Sequence, residues 1–264
     1  MAEGDTVLRT ARRIDRALAG QTVAVAAPNP RGRVSGIERL DGMVLEGAGA
    51  HGKNLLLDFG DLVLHSHLGM SGAWDVYPAG ARWRKPRTSA WAVLRGDTGE
   101  AVQWGGPKLR LLRAGQVSRD PVLGRLGPDV LAPEFDAAAT AERMRAAAPE
   151  RQLGDALLDQ GLLAGIGNIF KSESCFGART DPWQPLGELP HDAVARTLEA
   201  AAALMGAAVR DGRHPRRVYR QAGRPCPVCG TPIRSRGQGD DNRTTYWCPA
   251  CQRGGSGKTP AGRG

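Results

Sequence analysis

The chain has 264 residues, of which 41% are hydrophobic, so it is long enough for one large domain or two moderate ones with buried cores. Lys and Arg number 36 against 27 Asp and Glu, which gives a net charge of +9. No run of about 18 apolar residues occurs, and no apolar signal core is present near the start. The composition therefore argues against a membrane protein and predicts a soluble, cytoplasmic one.

The excess positive charge is concentrated in one part of the chain. Residues 210–264 contain 12 Lys and Arg against 3 Asp, a net charge of 12 − 3 = +9, so residues 1–209 sum to zero. A basic region on a neutral body is typical of a protein that binds a polyanion. An acidic protein or a membrane surface is an alternative partner for the basic region, but the lack of an apolar span disfavours the membrane.

The first half of the chain begins as a helix and then changes to short strands. Apolar residues recur at helical spacing from position 7 to position 18, and Gly20 ends the pattern, which places Glu3 just ahead of a helix N-terminus. Short β-type runs separated by turn signals then predict an antiparallel sandwich or barrel. The runs are residues 22–27, 43–46, 54–59, 62–67, 74–77, 90–95, 101–104 and 108–112.

The second half is Ala-rich and helical from about residue 135 to 210, and a basic connector follows at residues 210–224. Within it, residues 161–173 read GLLAGIGNIFKSE, with a helical run, residues 151–160, leading into the glycines. Gly165 and Gly167 permit a tight turn with positive φ, and Asn168 stands at the favoured cap position of the next helix. The unpaired N–H groups of that first turn predict an anion site, with a plain helical hairpin as the alternative.

Four of the five cysteines have the spacing of a zinc site. Two C-x-x-C pairs are separated by 18 residues, which predicts one tetrahedral zinc with four thiolate ligands. Disulfides are the alternative, and an intracellular protein disfavours them. Because all four positions are protein ligands, the zinc is predicted to be structural. The predicted ligands are Cys226, Cys229, Cys248 and Cys251; the fifth cysteine, Cys175, is predicted to be buried on a helix.

The segment between the cysteine pairs is predicted to be a β-hairpin. Residues 231–236 and 243–247 have strand character, and the tip between them is Gly-Gln-Gly-Asp-Asp-Asn. Arg243 leaves this tip and is suited to hold a phosphate with two hydrogen bonds. The alternative is a solvated basic hairpin on a zinc ribbon.

Six segments occur in one chain and in one order, and together they closely resemble the formamidopyrimidine-DNA glycosylase / endonuclease VIII family. The resemblance covers residues 1–253, and the EGDT opening and short connector are similar to the endonuclease VIII branch, nearest to its actinobacterial members. The segments are MAEGDT at the start, HGKNLLL (51–57), HLGMSG (67–72), LGPDVL (126–131), ALLDQGLLAGIGNIFKSE (156–173) and RTTYWCPACQ (243–252).

The resemblance implies an α+β fold with three parts and a tail. These are an N-terminal helix and antiparallel β-sandwich at 1–130, a helix–two-turn–helix domain at 131–222, a four-cysteine zinc hairpin at 223–253 and a disordered tail at 254–264. It also implies a monomeric base-excision-repair enzyme, nucleoid-associated through DNA, with DNA bound between the halves. The enzyme would be a DNA glycosylase and abasic-site lyase that flips oxidised pyrimidines out of double-stranded DNA. A ribbon-bearing RNA or translation protein would leave residues 1–175 unexplained.

The resemblance also assigns roles to individual residues. The amine after the initiator Met attacks the sugar C1′ and leaves a Schiff base, and the carboxylate of Glu3 acts as general acid and base. Met70 matches an apolar wedge that fills the gap left by the flipped base, with a core methionine as the alternative. Glu173 matches a supporting carboxylate near the N-terminus, with a surface acid as the alternative. The predicted phosphate-binding residues are Lys53, Asn168 and Arg243. Lys53 is also predicted to be catalytic with Ala2 and Glu3, and its alternative role is that of a substitute nucleophile.

One position departs from the family pattern, because the nucleophilic proline is replaced here by Ala2. A proline amine forms an iminium that is necessarily cationic, whereas an alanine amine forms an imine that must be protonated to withdraw electrons equally well. A free α-amino group has a pKa of about 8, so a minor neutral fraction exists at neutral pH. Three interpretations remain: a working lyase that uses the Ala2 amine once Met1 is removed, a lesion-binding protein without catalysis, or an altered copy of an active enzyme.

Overall fold

The computed structural model of the chain describes residues 2–30 and 36–253. The chain divides into two compact units, Met1–Leu126 and Gly127–Gly264. The predicted domain boundaries near residues 130 and 222 stay predictions, and the predicted disordered tail lies outside the described residues. No helix in the described part of the chain is both long and apolar enough to span a membrane.

The first unit opens with α1, Gly4–Leu18, as the apolar spacing predicts. One face of this helix is buried against the sheets, and each aliphatic side chain on it contributes about 1.5–3 kcal/mol of stabilisation by burial. The opposite face carries exposed arginines. The buried apolar residues of α1 are Val7, Ala11, Ile14 and Leu18.

Strands of the first unit form two four-stranded antiparallel sheets, in the orders β2-β3-β4-β8 and β1-β6-β7-β5. One core lies among α1 and both sheets and includes Leu57, Leu64, Trp74 and Leu94. The predicted sandwich is therefore confirmed. Its strands are β1 Ala24–Ala26, β2 Gly47–His51, β3 Asn54–Asp58, β4 Leu62–His67, β5 Ala73–Pro78, β6 Ala92–Arg95, β7 Gly99–Trp104 and β8 Lys108–Arg113.

The predicted strand at residues 43–46 is wrong. Only Val44 there makes a β-bridge, with Thr22, and the strand begins afterwards at β2. The Gly-Ala-Gly-Ala sequence of β2 has low strand propensity. It is extended because it pairs along its whole length with β3, and because the N–H of Ala48 donates to Asp15 Oδ1 of α1 at 2.9 Å.

The second unit is built on helices followed by a two-stranded hairpin. Its core contains Met144, Leu153, Phe170 and Leu198, and its last helix ends at Asp211, where the C-cap residue Gly212 has the left-handed conformation (φ +70°). The helices are α2 Ala137–Ala147, α3 Leu153–Ala156, α4 Asn168–Gly177 and α5 Ala193–Asp211. The hairpin pairs β9 Arg234–Gln238 with β10 Arg243–Trp247.

The helix predicted at residues 151–160 is limited to the single turn α3. After α3 the chain turns, and the side chain of Gln160 makes hydrogen bonds to the backbone of the loop that follows. Its Nε2 donates to the carbonyl of Ile166 at 3.1 Å, and its Oε1 accepts from the N–H of Gly165 at 3.0 Å. Local side-chain bonds of this kind compete with helical hydrogen bonds.

A buried charged network joins β3, β4 and β8 on one sheet. His65 is fully buried, and its Nε2 lies 2.9 Å from Asn54 Oδ1. Arg110 Nη2 donates to His65 Nδ1 at 2.9 Å and the same guanidinium pairs with Asp120. Burial, and then the charge of Arg110, lower the pKa of His65 to about 4. The imidazole is therefore neutral in the folded protein at neutral pH.

We expect acid to destabilise the protein through His65. In the unfolded chain His titrates near 6.5, so between pH 6.5 and 4 the unfolded state binds the extra proton and folding stability falls as pH falls, by up to about 3 kcal/mol. Asp120, whose pKa is lowered to about 2 by its bond to Arg110, titrates below this window. Thermal unfolding of His65→Gln should show a smaller loss of melting temperature from pH 7 to pH 4.5 than the native chain.

His191→Gln is the matched control, because the side chain of His191 is 84% exposed. It should keep the native pH dependence. Equal losses of melting temperature in all three proteins would show that His65 does not govern the acid response.

Candidate active site and metal centre

The chain start packs against the first unit, with Ala2 partly buried and Glu3 fully buried. Ala2 packs against the core of the first unit, and Glu3 is fully buried at the N-cap position of α1. The Glu3 carbonyl accepts the N–H groups of Thr6 at 3.0 Å and Val7 at 3.1 Å, whereas its carboxylate does not cap the helix. A carboxylate one residue after Ala2 is thus held away from bulk water, which suits proton transfer.

Lys53 lies where the sequence predicts it, in the turn between β2 and β3. Sheet register then brings two further residues to this end of the sheet, since Asn54 pairs with His67 and His67 pairs with Lys108. The pKa of His67 is lowered first by burial and then by the positive charges of Lys108 and Lys53. His67 and Lys108 received no role from the sequence, because the pairing that gathers them is not local.

Met70 lies in the turn before β5 and its surface is 74% exposed. The alternative of a core methionine is therefore wrong. The turn is held close to the segment before β8, because the position of a Cβ on Gly69 would lie 2.7 Å from the ring of Pro107. Gly69 also has a positive φ of +58°, so only glycine fits this turn without strain. An exposed apolar tip on a tight turn has the form of a wedge, a role that stays a prediction.

The glycine turn before α4 differs in detail from the prediction. Gly165 has φ +105° as expected, but the cap position of α4 is occupied by Gly167, and Asn168 is the first residue inside the helix. The predicted N-cap role of Asn168 is therefore wrong. Its side chain is instead drawn to the hairpin, where Nδ2 donates to the carbonyl of Thr244 at 2.8 Å. Asn168 Oδ1 is buried without a hydrogen-bond partner.

A fully buried lysine, which the sequence gave no role, joins α4 to β10. Lys171 Nζ donates to Thr245 Oγ1 at 2.6 Å and lies 3.5 Å from the carbonyl of Arg243. Thr245 Oγ1 in turn donates to Gln238 Oε1 of β9 at 2.6 Å. Lys171, about one helical turn after Asn168, thus brings its ammonium group to the backbone of Arg243, the predicted phosphate-binding arginine.

Arg243 is the first residue of β10 and its side chain is 42% exposed. Its guanidinium lies 3.8 Å from the carboxylate of Asp241, which is itself 81% exposed. An exposed ion pair at this distance contributes at most about 1 kcal/mol, so a phosphate can replace Asp241 at little cost. Lys171 fixes the backbone of β10, while the guanidinium of Arg243 stays accessible to solvent, as a phosphate contact requires.

Glu173 is 1% exposed, so the alternative of a surface acid is wrong. Its Oε1 accepts the backbone N–H groups of Val218 at 2.9 Å and Tyr219 at 2.8 Å, which fixes the basic connector against α4. Its Oε2 is buried without a hydrogen-bond partner. The structure therefore shows Glu173 supporting the connector, and a further role near the N-terminus stays a prediction.

The sulfur atoms of the four predicted ligands lie within 4.8 Å of one another. The Cys226–Cys251, Cys229–Cys248 and Cys229–Cys251 sulfur pairs are 3.8, 3.5 and 3.4 Å apart. A tetrahedral zinc with Zn–S bonds of about 2.3 Å requires sulfurs about 3.8 Å apart, so the donor set fits the ion. Four protein ligands leave no open position, so the zinc stabilises the hairpin and performs no chemistry.

Cys175 is fully buried on α4, as predicted. Burial raises the pKa of its thiol to about 12, so the reactive thiolate is absent at neutral pH. It belongs to the helical core and plays no part in the metal centre.

Three family models match the chain in order. Residues 1–107 match the formamidopyrimidine-DNA glycosylase N-terminal domain, residues 126–218 the formamidopyrimidine-DNA glycosylase H2TH domain, and residues 223–254 the zinc finger found in FPG and IleRS. Together with the clustered thiols, the last match confirms the structural zinc.

Two curated relatives align over almost the whole chain. A probable endonuclease 8 2 of Streptomyces coelicolor is 42% identical, over 96% of this chain and 95% of its own. A DNA-(apurinic or apyrimidinic site) lyase of Mycolicibacterium smegmatis is 34% identical, over 96% of this chain and 99% of its own.

Solved structures confirm the fold. The formamidopyrimidine-DNA glycosylase of Lactococcus lactis, bound non-covalently to DNA with an abasic site, superposes with a TM-score of 0.81. It is 24% identical and the match covers 96% of this chain and 100% of that one. The same glycosylase in complex with DNA containing an oxidised pyrimidine gives a TM-score of 0.80 at 23% identity.

Chelation of zinc should unfold the hairpin without unfolding the sandwich, since the four thiolates close it and the sandwich has its own core. After treatment with a strong chelator, hydrogen exchange should accelerate in residues 234–247 and stay unchanged in residues 54–67. Cys229→Ala should reproduce this effect. Cys175→Ala, the matched control, should retain one zinc per chain; loss of zinc from that variant would contradict the assignment of ligands.

Replacing Lys171 with Met should loosen β10 without removing zinc. The variant keeps the length of the side chain but loses the donor to Thr245 and to the carbonyl of Arg243, a loss of about 1–2 kcal/mol locally. Amides of residues 243–247 should exchange roughly tenfold faster. Lys85→Met, which alters an exposed lysine of the other unit, should leave these amides unchanged, and unchanged exchange in both variants would make Lys171 dispensable.

Proposed function

The chain belongs to the formamidopyrimidine-DNA glycosylase family, and from this premise we propose how its own residues carry out the reaction. The protein is a base-excision-repair DNA glycosylase with abasic-site lyase activity. The relatives named above are enzymes, and no observation favours the alternative of a lesion-binding protein without catalysis.

The substrate we propose is double-stranded DNA that carries an oxidised pyrimidine or an abasic site. The EGDT opening and the short connector before Cys226 support this choice over an oxidised purine, because both follow the endonuclease VIII pattern. The relatives with 34–42% identity, which are named as endonuclease 8 proteins or as an abasic-site lyase, agree with it. The enzyme acts as a monomer on chromosomal DNA in the cytoplasm.

Catalysis begins with the neutral amine of Ala2 after removal of Met1. The nitrogen attacks C1′ of the flipped nucleotide, the bond from C1′ to the base breaks, and the base leaves with a proton. The C1′–O4′ bond then breaks, O4′ takes a proton, and the opened sugar is held as a protonated imine, which allows loss of a C2′ proton and breakage of the C3′–O bond with the 3′ phosphate leaving. Glu3 transfers the protons at the sugar. The buried Glu3 directly after Ala2 is the observation that carries this mechanism.

Both units supply side chains that hold the DNA. Lys53, with Lys108 beside the same histidine, contacts a phosphate from the first unit, and Asn168 and Arg243 contact phosphates from the second. Met70 enters the stack and fills the space left by the flipped base. Asn168 Oδ1 is buried without a hydrogen-bond partner, which indicates that this amide rearranges or gains a donor when DNA binds.

Borohydride trapping on a duplex with one abasic site tests the covalent step. Reduction of the imine should leave a stable adduct, and mass spectrometry should locate it on an N-terminal peptide that begins with Ala2. Glu3→Gln should lower the rate of strand cleavage by about 10²–10⁴-fold, the usual contribution of general acid–base catalysis. Glu46→Gln removes an exposed carboxylate of the same unit and should cleave at the native rate.

If a protein with a verified Ala2 N-terminus formed no adduct, the amine mechanism would be overturned. Cleavage without an adduct on that peptide would move the nucleophile to another residue.

A further inference from the structure

A second positive surface lies on the first unit, in the segment that joins β5 to β6. Residues 82–87 read Arg-Trp-Arg-Lys-Pro-Arg, and the chain contains no acidic residue from position 79 to position 96. All four cations of this segment are exposed, whereas Trp83 between them is buried. We call residues 82–87 the basic strap.

The strap is fixed to the sheet through Trp83. The indole Nε1 donates to the buried carboxylate of Glu100 at 2.6 Å, and the ring meets the edge of Trp104 at a centroid distance of 5.8 Å. The guanidinium of Arg87 lies over the Trp83 ring, with its Cζ 4.8 Å from the ring centroid. Arg84 Nη2 bonds Asp75 at 2.6 Å. These contacts fix the loop and position Arg84 and Arg87 before any ligand arrives, which lowers the entropy lost on binding.

The strap returns along the sheet to the end that carries Met70. It leaves β5 at Pro78, but Lys85 Nζ lies 5.4 Å from the ring of Trp104, and Trp104 pairs with Ala73 at the opposite end of β5. Ala73 follows Met70 by three residues. The strap, the Met70 turn and Lys108 therefore belong to one end of the sandwich.

We propose that the basic strap binds phosphates of the DNA backbone beside the Met70 turn, extending the grip of the first unit beyond Lys53. This inference rests on the proposed function, since it takes DNA as the ligand. Arg82, Lys85 and Arg87 are the contacting cations, while Arg84 is engaged by Asp75 and holds the loop. Guanidinium groups suit phosphate because two parallel N–H bonds match its oxygens, and Arg87 stays exposed while its guanidinium lies over Trp83.

The salt dependence of binding tests the strap without requiring catalysis. The probe is a duplex with one tetrahydrofuran abasic analogue, which cannot form an imine. Each phosphate contact contributes about 0.9 to the slope of log affinity against log salt concentration. The triple variant Arg82→Gln/Lys85→Gln/Arg87→Gln should lower the magnitude of that slope by about 2–3.

Two variants separate the strap from net charge and from folding. Arg12→Gln/Arg16→Gln/Arg119→Gln removes three exposed cations of the same unit and should keep the native slope. Arg82→Lys/Arg87→Lys keeps the charge and should keep at least most of the slope. Equal slopes for the strap variant and the native protein would overturn the proposal and leave an acidic protein as the partner of the strap. Borohydride trapping of the native protein is unaffected by this outcome, so failure of the proposed function would be seen separately.

Discussion

The ammonium group of Lys171 is fully buried and must find its acceptors inside the protein, since an unsolvated charge without them would be prohibitively unstable. It finds them on β10, at Thr245 Oγ1 and near the carbonyl of Arg243. This requirement ties the first turns of α4 to one register of the hairpin. Asn168, three residues earlier on the same helix, adds a bond to the carbonyl of Thr244. Two predicted phosphate-binding residues are thereby held at a fixed spacing, and the guanidinium of Arg243 takes no part in the bonds from Lys171 and Asn168.

The zinc and the buried lysine restrain the hairpin at its two ends. The thiolates close the base of β9 and β10, whereas Lys171, Gln238 and Thr245 fix the end near the tip. Gln238 also donates to the carbonyl of Pro182 at 2.7 Å, so the hairpin is attached to the loop after α4 as well. A short two-stranded hairpin is marginally stable by itself. With both ends attached, the backbone that carries the exposed Arg243 is ordered before any ligand arrives, which lowers the entropy lost on binding.

How much the sequence predicts depends on whether the decisive contacts are local. The four zinc ligands follow from spacing alone, because two short knuckles dictate the geometry. Burial of Glu173 and the function of Lys171 do not follow, because their partners lie about 45 and 74 residues further along the chain. For the same reason the sequence does not predict the pairing of His67 with Lys108, which depends on the register of the sheet. Asn168 was misplaced by one position because Gly167 caps α4 and leaves the amide to reach Thr244.

Net charge is a similarly incomplete guide to where DNA binds. The net charge of residues 1–209 is zero. This sum includes ion pairs such as Arg95 with Glu100, and it also includes the basic strap, which has no acidic residue near it in the sequence. Screening limits exposed charges to effects within about 8–10 Å at physiological salt, so a phosphate responds to the local cluster and not to the sum. Trp83 fixes the position of the cluster, because its indole N–H donates to Glu100 and its ring packs against Trp104. Cations gathered on an anchored loop can therefore attract a phosphate even where the charge of the whole unit sums to zero.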